Sequence, residues 1–255
     1  MSEAIPEIAF SGVSKRYRSG APVLENITLT IEKGEFASIL GPSGCGKSTL
    51  LRLIAGLTPL SAGAIIVNGM TPVNARELMS FIFQDATLLP WRTVERNVGL
   101  GLELEWATRA ARTHKVSEML ALVGLSTVAK SYPRQLSGGM KMRVSIARAL
   151  ATRPRILLMD EPFAALDEMT RDRMNEELLR LQQEHGWTIV FVTHSVAEAV
   201  FLSSRIVVLA PHPGRIHEVV QVVLEAQRSA ETRTSQLFEE EVSRVSRILR
   251  GASDA

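Results

Sequence analysis

Residues 36–56 restrict the possible folds more than any other stretch of the chain. Phe36-Ala37-Ser38-Ile39-Leu40 is a short apolar run broken by one serine, which suits a buried strand. It runs directly into Gly41-Pro42-Ser43-Gly44-Cys45-Gly46-Lys47-Ser48, followed by Thr49. Leu50, Leu53 and Ile54 then share one helical face, and Gly56 is placed to end that helix. Glycines without Cβ let backbone N–H groups curl around an anion. The helix that follows points its positive end at the same spot. Lys47 can reach the β- and γ-phosphates of a bound triphosphate, and the Ser48 hydroxyl can ligate a divalent cation. An ordinary glycine-rich turn is the competing reading, and the strand-loop-helix context argues against it. Gly41, Ser43, Gly44, Cys45, Gly46, Lys47, Ser48 and Thr49 are therefore expected to form a nucleoside-triphosphate site.

Composition sets the outer limits. The chain has 255 residues, enough for one large core or a domain with a subdomain. It is 45% hydrophobic and 22% charged, with a net charge of +2 and no block of like charge, so no nucleic-acid partner is expected. Cys45 is the single cysteine, which excludes an intrachain disulfide and fits a reducing compartment. Met1-Ser2-Glu3-Ala4-Ile5-Pro6-Glu7 has no apolar core and does not read as a secretory signal. The apolar runs at 156–159 and 188–193 are far too short to span a bilayer.

Strand patterns occur at 8–10, 23–31, 65–67 and 81–83, with turns at Ser19-Gly20, Lys33-Gly34 and Asn68-Gly69. From Asp85 to about Leu150 the spacing becomes helical: Val116, Met119, Leu120 and Val123 make one face, closed by Gly124. Strands return at 156–159 and 188–193, with a helix marked by Met174, Leu178 and Leu181 between them. Residues 206–209 and 216–223 flank Pro211-His212-Pro213-Gly214 as a hairpin. Leu237, Phe238, Val242, Val245 and Ile248 predict a last amphipathic helix, with 251–255 frayed. Alternating strands and helices predict a mostly parallel α/β sheet, which binds ligands beyond the carboxyl ends of its strands. Gly41, Gln84, Asp160 and His194 each directly follow a predicted strand and should converge on that edge.

Two further segments carry chemistry. Asp160-Glu161 closes a buried strand, where one carboxylate suits a hard cation and the other can orient or deprotonate water. A solvated strand-end turn is the bland alternative. Leu136-Ser137-Gly138-Gly139-Met140 opens a helix with Val144, Ala147 and Leu150 on its inner face, a second possible anion site. Taken alone, it reads more simply as an N-cap with flexible glycines.

The order of these motifs is specific. Walker A at 41–48, Gln84, Leu136-Ser137-Gly138-Gly139, Walker B at 156–160 with Glu161, Ala165-Leu166-Asp167 and then His194 resemble the ATP-binding subunit of ABC transporters over nearly the whole chain. The resemblance implies a P-loop NTPase (RecA-like) fold, α/β with a mostly parallel sheet, an N-terminal antiparallel β subdomain and an inserted α-helical subdomain. The corresponding division is an ATPase core at 5–84 and 151–225, a helical insert at 85–150, and a C-terminal helix and tail at 226–255. It also implies roles. Tyr17 would stack on adenine, Ser48, Gln84 and Asp160 would hold Mg²⁺, Gln84 would also sense the γ-phosphate, Glu161 would be the catalytic base, and His194 would contact the γ-phosphate. Ser137, Gly138 and Gly139 would meet the ATP held by a second subunit, and Asp167 would lie at the seam. The implied unit is a head-to-tail homodimer with ATP at its interface. It would sit on the cytoplasmic face of the inner membrane beneath a separate permease that is served by a solute-binding protein.

Finer features point to a subgroup. Leu89-Pro90-Trp91-Arg92-Thr93-Val94, Leu136-Ser137-Gly138-Gly139-Met140, Ala165-Leu166-Asp167-Glu168-Met169-Thr170-Arg171 and Ala210-Pro211-His212-Pro213-Gly214-Arg215-Ile216 look like the nitrate/sulfonate/taurine importer group. Met140 stands where most ABC proteins carry glutamine, and Ala164 where a serine is frequent. A non-transport ABC ATPase is the alternative, but one cassette without a long heptad tract does not favour it. No Asn-Lys-x-Asp guanine motif supports a GTPase. Two local expectations follow. Cys45, beside Lys47 and a helix N-terminus, should be a reactive thiol that ATP shields. Leu88-Leu89-Pro90-Trp91 should either pack beneath the inserted helices or present a groove to a permease helix.

Overall fold

The computed structural model describes residues 5–17, 20–104 and 108–253, so Ser19 of the expected turn lies outside the described residues. The chain begins with β1 (Ile8–Arg16), β2 (Pro22–Ile31), β3 (Phe36–Leu40), α1 (Lys47–Ile54), β4 (Ala62–Val67) and β5 (Met79–Ile82). Four helices follow: α2 (Val94–Val98), α3 (Leu100–Leu104), α4 (Arg109–Leu122) and α5 (Gly138–Ala151). The remainder is β6 (Ile156–Asp160), α6 (Glu168–His185), β7 (Thr188–Val192), α7 (Val196–Leu202), β8 (Arg205–Ala210), β9 (Arg215–Gln221) and α8 (Gln236–Ser253).

The strands form two sheets. A six-stranded sheet has the order β5-β6-β7-β3-β8-β9, and a three-stranded antiparallel sheet has the order β2-β1-β4. In the larger sheet only β9 is antiparallel, returning from β8 as a hairpin. The other neighbours are parallel. Parallel strands covered on both faces must be apolar on both, and β3 shows how. Phe36 and Leu40 join the core shared with α5, α6 and α7, whereas Ala37 and Ile39 join the core shared with α1 and the antiparallel sheet. The two sets alternate along the strand, as the pleat requires. Ser38, the polar exception, is buried with its hydroxyl hydrogen-bonded to that of Ser203. An ion pair between Arg155 and the buried Glu7, at 2.9 Å, ties the small sheet to the large one.

Register puts the strand ends level. Ile82 pairs with Met159, Asp160 with Val192, Ile39 with Val192, and Leu40 with Val208. The chain therefore leaves β3, β5, β6 and β7 along one edge, where ligands of such sheets bind.

Two local expectations are corrected. β5 stops at Ile82, and Phe83 turns away to stack on Phe81 at 4.2 Å between ring centroids. Gln84 is thus two residues beyond the strand rather than at its end. At the C-terminus, residues 251–253 are not frayed but complete α8, with Ala252 fully buried. Phe238, Val245 and Ala252 fall seven residues apart on the buried face, which holds the last turn in place.

Candidate functional site

The loop after β3 and the first turn of α1 form the centre of the site. Gly46, the N-cap of α1, has φ of 99°, a left-handed conformation that a residue with a Cβ adopts only under strain. Lys47 is buried along its length, and its Nζ donates to the carbonyls of Gly41 at 2.7 Å and Pro42 at 2.9 Å. The lysine therefore closes the loop on itself and keeps its charge at the loop's centre. Ser43 and Gly44 are exposed at the loop tip, while Thr49 turns inward.

Cys45 departs from expectation. Its side chain is fully buried, packed against Gly41 and Leu209. Burial pushes the thiol up from its ordinary value, outweighing the attraction of Lys47, which acts the other way. Cys45 is therefore an inert core thiol rather than a reactive one. The folded protein should resist maleimide at neutral pH with or without Mg-ATP, and the denatured chain should label, as mass spectrometry can follow. Labelling of the native protein would overturn this assignment.

β6 and β7 deliver the acidic and imidazole groups. Ser48 Oγ donates to Asp160 Oδ1 at 2.9 Å, joining α1 to the end of β6. Asp160 is buried, and burial raises its carboxyl above the usual range, a shift that the Ser48 hydroxyl opposes. Glu161 follows with φ of 47°, a left-handed backbone on a non-glycine residue, which costs about 1–3 kcal/mol. Its N–H donates to Val192 O at 2.9 Å, so the sheet itself fixes the strained residue. Its carboxylate Oε2 lies 3.2 Å from Nδ1 of His194, which stands two residues beyond the end of β7 at Val192 rather than directly after the strand. Such strain gathers at functional sites, where it fixes a side chain in advance.

Gln84 is exposed, and the loop that follows it is anchored by a residue the sequence did not single out. Arg148 of α5 donates to Thr87 O at 3.0 Å, Ala86 O at 3.2 Å and Thr87 Oγ1 at 3.0 Å. Its burial lowers the guanidinium from the ordinary arginine value. Tyr17, just past β1, is exposed, with Lys15 Nζ 4.6 Å from its ring centroid.

A second group gathers where α5 meets α6. Ser137 caps α5, accepting from the Met140 N–H at 3.2 Å, and is exposed with Gly138. A Cβ added at Gly139 would come 3.1 Å from Leu166, so the glycine lets α5 close onto the 165–167 turn. Asp167 caps α6, accepting from the Thr170 N–H at 2.9 Å, and that bond holds its carboxyl below the usual range. Ala165, Asp167 and Met169 are exposed around it.

The ABC transporter family model matches residues 24–164. The chain belongs to the ABC transporter family. An aliphatic sulfonates import ATP-binding protein of Bacillus cereus is 44% identical over 236 residues, covering 91% of this chain and 92% of that protein. A taurine import ATP-binding protein of Escherichia coli is 49% identical over 199 residues, 78% of each. Among solved structures, a dimeric bacterial ABC transporter cassette superposes with a TM-score of 0.80 at 34% identity, over 86% of this chain and all of that one. A dimeric post-hydrolysis cassette bound to ADP and phosphate gives 0.79 at 33% identity with the same coverage. The chain therefore has the P-loop ATPase cassette fold.

Proposed function

We propose that this chain is the ATP-hydrolysing subunit of an importer for a small sulfonate or related organic anion. It would work as a homodimer with ATP at the interface, docked to a separate permease on the cytoplasmic face of the membrane and served indirectly by a solute-binding protein. The observation that carries the ATPase reading is the pairing of Ser48 with Asp160 and of His194 with Glu161 at adjacent strand ends beside the Lys47 loop. The sulfonate and taurine relatives support the class of cargo, and the dimeric cassettes support the dimer.

The residues divide the work as follows. The loop N–H groups and Lys47 would bind the β- and γ-phosphates, and Tyr17 would stack on the adenine. Ser48, Asp160 and Gln84 supply hydroxyl, carboxylate and amide oxygens, which suit a hard cation. Among the described residues no cluster of three or more His, Cys, Asp or Glu exists that could cage a metal by itself. Ser48, Asp160 and Gln84 would hold Mg²⁺, which when bound would supply positive charge to offset that developing on the transferred phosphoryl group. Glu161 accepts a proton from the attacking water, and His194, beside it, faces the γ-phosphate. Ser137, Gly138, Gly139 and the seam around Asp167 would complete the site of the second protomer.

No described helix is long and apolar enough to cross a membrane. A groove of about 900 Å³ opens between α2 and α4, lined by Trp91, Glu95, Arg112 and Val116 among others. Trp91 is 71% exposed at its rim, whereas its neighbour Leu88 packs partly buried on the core. Asn97, fully buried, pins the loop by accepting from the Leu89 N–H at 2.8 Å and donating to the carbonyls of Leu89, Arg92 and Thr93. The tryptophan is thus displayed by a rigid support rather than used as core. Trp91→Ala should leave the melting temperature of the free subunit unchanged and weaken permease assembly by about 2 kcal/mol or more, as a pull-down beside a thermal melt would show. The wider reading is tested by reconstituting the chain with its permease in vesicles. ATP-dependent uptake of a labelled sulfonate is expected, and ATP hydrolysis without uptake of any organic anion would refute the importer assignment.

A further inference from the structure

The turn that carries His194 is held by a closed ring of hydrogen bonds. Thr193 Oγ1 donates to Glu198 Oε2 at 2.5 Å and accepts from the Ser195 N–H at 3.0 Å. Ser195 Oγ in turn accepts from the Glu198 N–H at 3.3 Å, capping α7. In an ordinary capping box the glutamate three residues into the helix reaches back to the N-cap N–H. Here Thr193 takes that N–H, and the Glu198 carboxylate takes the threonine hydroxyl instead. The ring encloses His194 without touching its ring. The imidazole is 65% exposed, and Glu161 at 3.2 Å is its hydrogen-bond partner. Without a fixed turn beneath it, such a side chain has no reason to hold one position.

Glu198 is itself 94% buried, at 6% exposure, which is costly for a carboxylate kept only for helix capping. It lines one small cavity, of about 10 Å³, together with Glu161, His194 and Arg171. Arg171, from α6, also donates to Leu166 O at 3.0 Å, in the turn before Asp167. The carboxylate therefore lines the space between α6 and the His194 turn, near Arg171 of the first and bonded to the Thr193 hydroxyl of the second.

We propose that Glu198 is a positioning residue for hydrolysis, holding the Thr193-His194-Ser195 turn so that the His194 imidazole stays set against Glu161. This rests on the reading of His194 and Glu161 as the hydrolytic pair. The test is steady-state ATP hydrolysis by the full chain. Glu198→Ala should lower kcat about 10- to 100-fold, the cost of a small misplacement in an active site, with KM for Mg-ATP within about twofold. Glu198→Gln keeps an oxygen for the Thr193 hydroxyl and should restore most of the turnover. On a His194→Ala background, Glu198→Ala should cost nothing further, because residues that act through one another are not additive. Wild-type kcat in Glu198→Ala, or an equal further loss on the His194→Ala background, overturns the proposal. Should Glu198→Ala fail to fold, Thr193→Val removes only the hydroxyl at nearly constant volume and must show the same loss of kcat; wild-type turnover there overturns the proposal too. Wild-type turnover in His194→Ala alone would remove the reading of the site and the proposal with it. A dead His194→Ala beside an unaffected Glu198→Ala would remove the proposal only.

Discussion

Glu161→Gln is expected to bind Mg-ATP as the wild type does and to release phosphate about 10²–10⁴ times more slowly, the loss typical of a missing general base. That is roughly 3–5 kcal/mol of barrier. The substitution keeps the shape of the side chain, and the backbone bond from residue 161 to Val192 O is unaffected. The strained φ is therefore retained and the binding loop is untouched. Because ATP is bound but not consumed, the two-ATP dimer should accumulate, and size-exclusion chromatography with Mg-ATP should detect it. Phosphate release within a few-fold of wild type would remove Glu161 from the role of base.

Lys47→Ala is the second large effect, and it falls on binding rather than turnover. A hydrogen bond from a charged group contributes about 1.5–3 kcal/mol, so losing the ammonium from the phosphate site should weaken ATP roughly 10- to 100-fold or more. The loss has a second source. Lys47 Nζ satisfies the Gly41 and Pro42 carbonyls, so its removal also loosens the loop before any ligand arrives. Titration with a fluorescent ATP analogue would measure the change. An unchanged Kd would mean that backbone N–H groups alone supply the affinity. The two variants separate cleanly, since one should bind without turning over and the other should scarcely bind.

The parts of the site that could be read from sequence are those written in contiguous residues. The apolar runs at 36–40, 156–159 and 188–193 became buried strands, the last ending at Val192, because they are too short for a core helix and apolar on both faces. The glycine loop and the Ser137 and Asp167 caps likewise depend on neighbours in the chain. Features set by distant partners were missed. Cys45 has a lysine two residues away, which favours a thiolate, yet Leu209 and Gly41 bury it and desolvation wins. Arg148 reads as an ordinary surface residue of an amphipathic helix until the loop at 86–87, more than sixty residues earlier, closes on it. Asn97 and Glu198 read as helix polar residues for the same reason. The end of α8 is legible in principle, since the seven-residue spacing of Phe238, Val245 and Ala252 runs on past Gly251 and buries a turn that a chain terminus would otherwise fray.

The two ends and one side of α5 together make it a strut. Its 14 residues span about 21 Å at 1.5 Å per residue. At one end Ser137 faces outward beside the Asp167 turn. At the other, four residues lead straight into β6, the strand that presents Asp160 and Glu161. In its last turn, Arg148 grips the loop behind Gln84. Beyond Gly138 and Gly139 in its first turn, α5 holds no glycine, so from Met140 to β6 a load meets no glycine joint. In the dimer proposed above, each protomer would receive its neighbour's nucleotide as thrust along this rod, delivered at once to its own cation strand and to its own Gln84 loop.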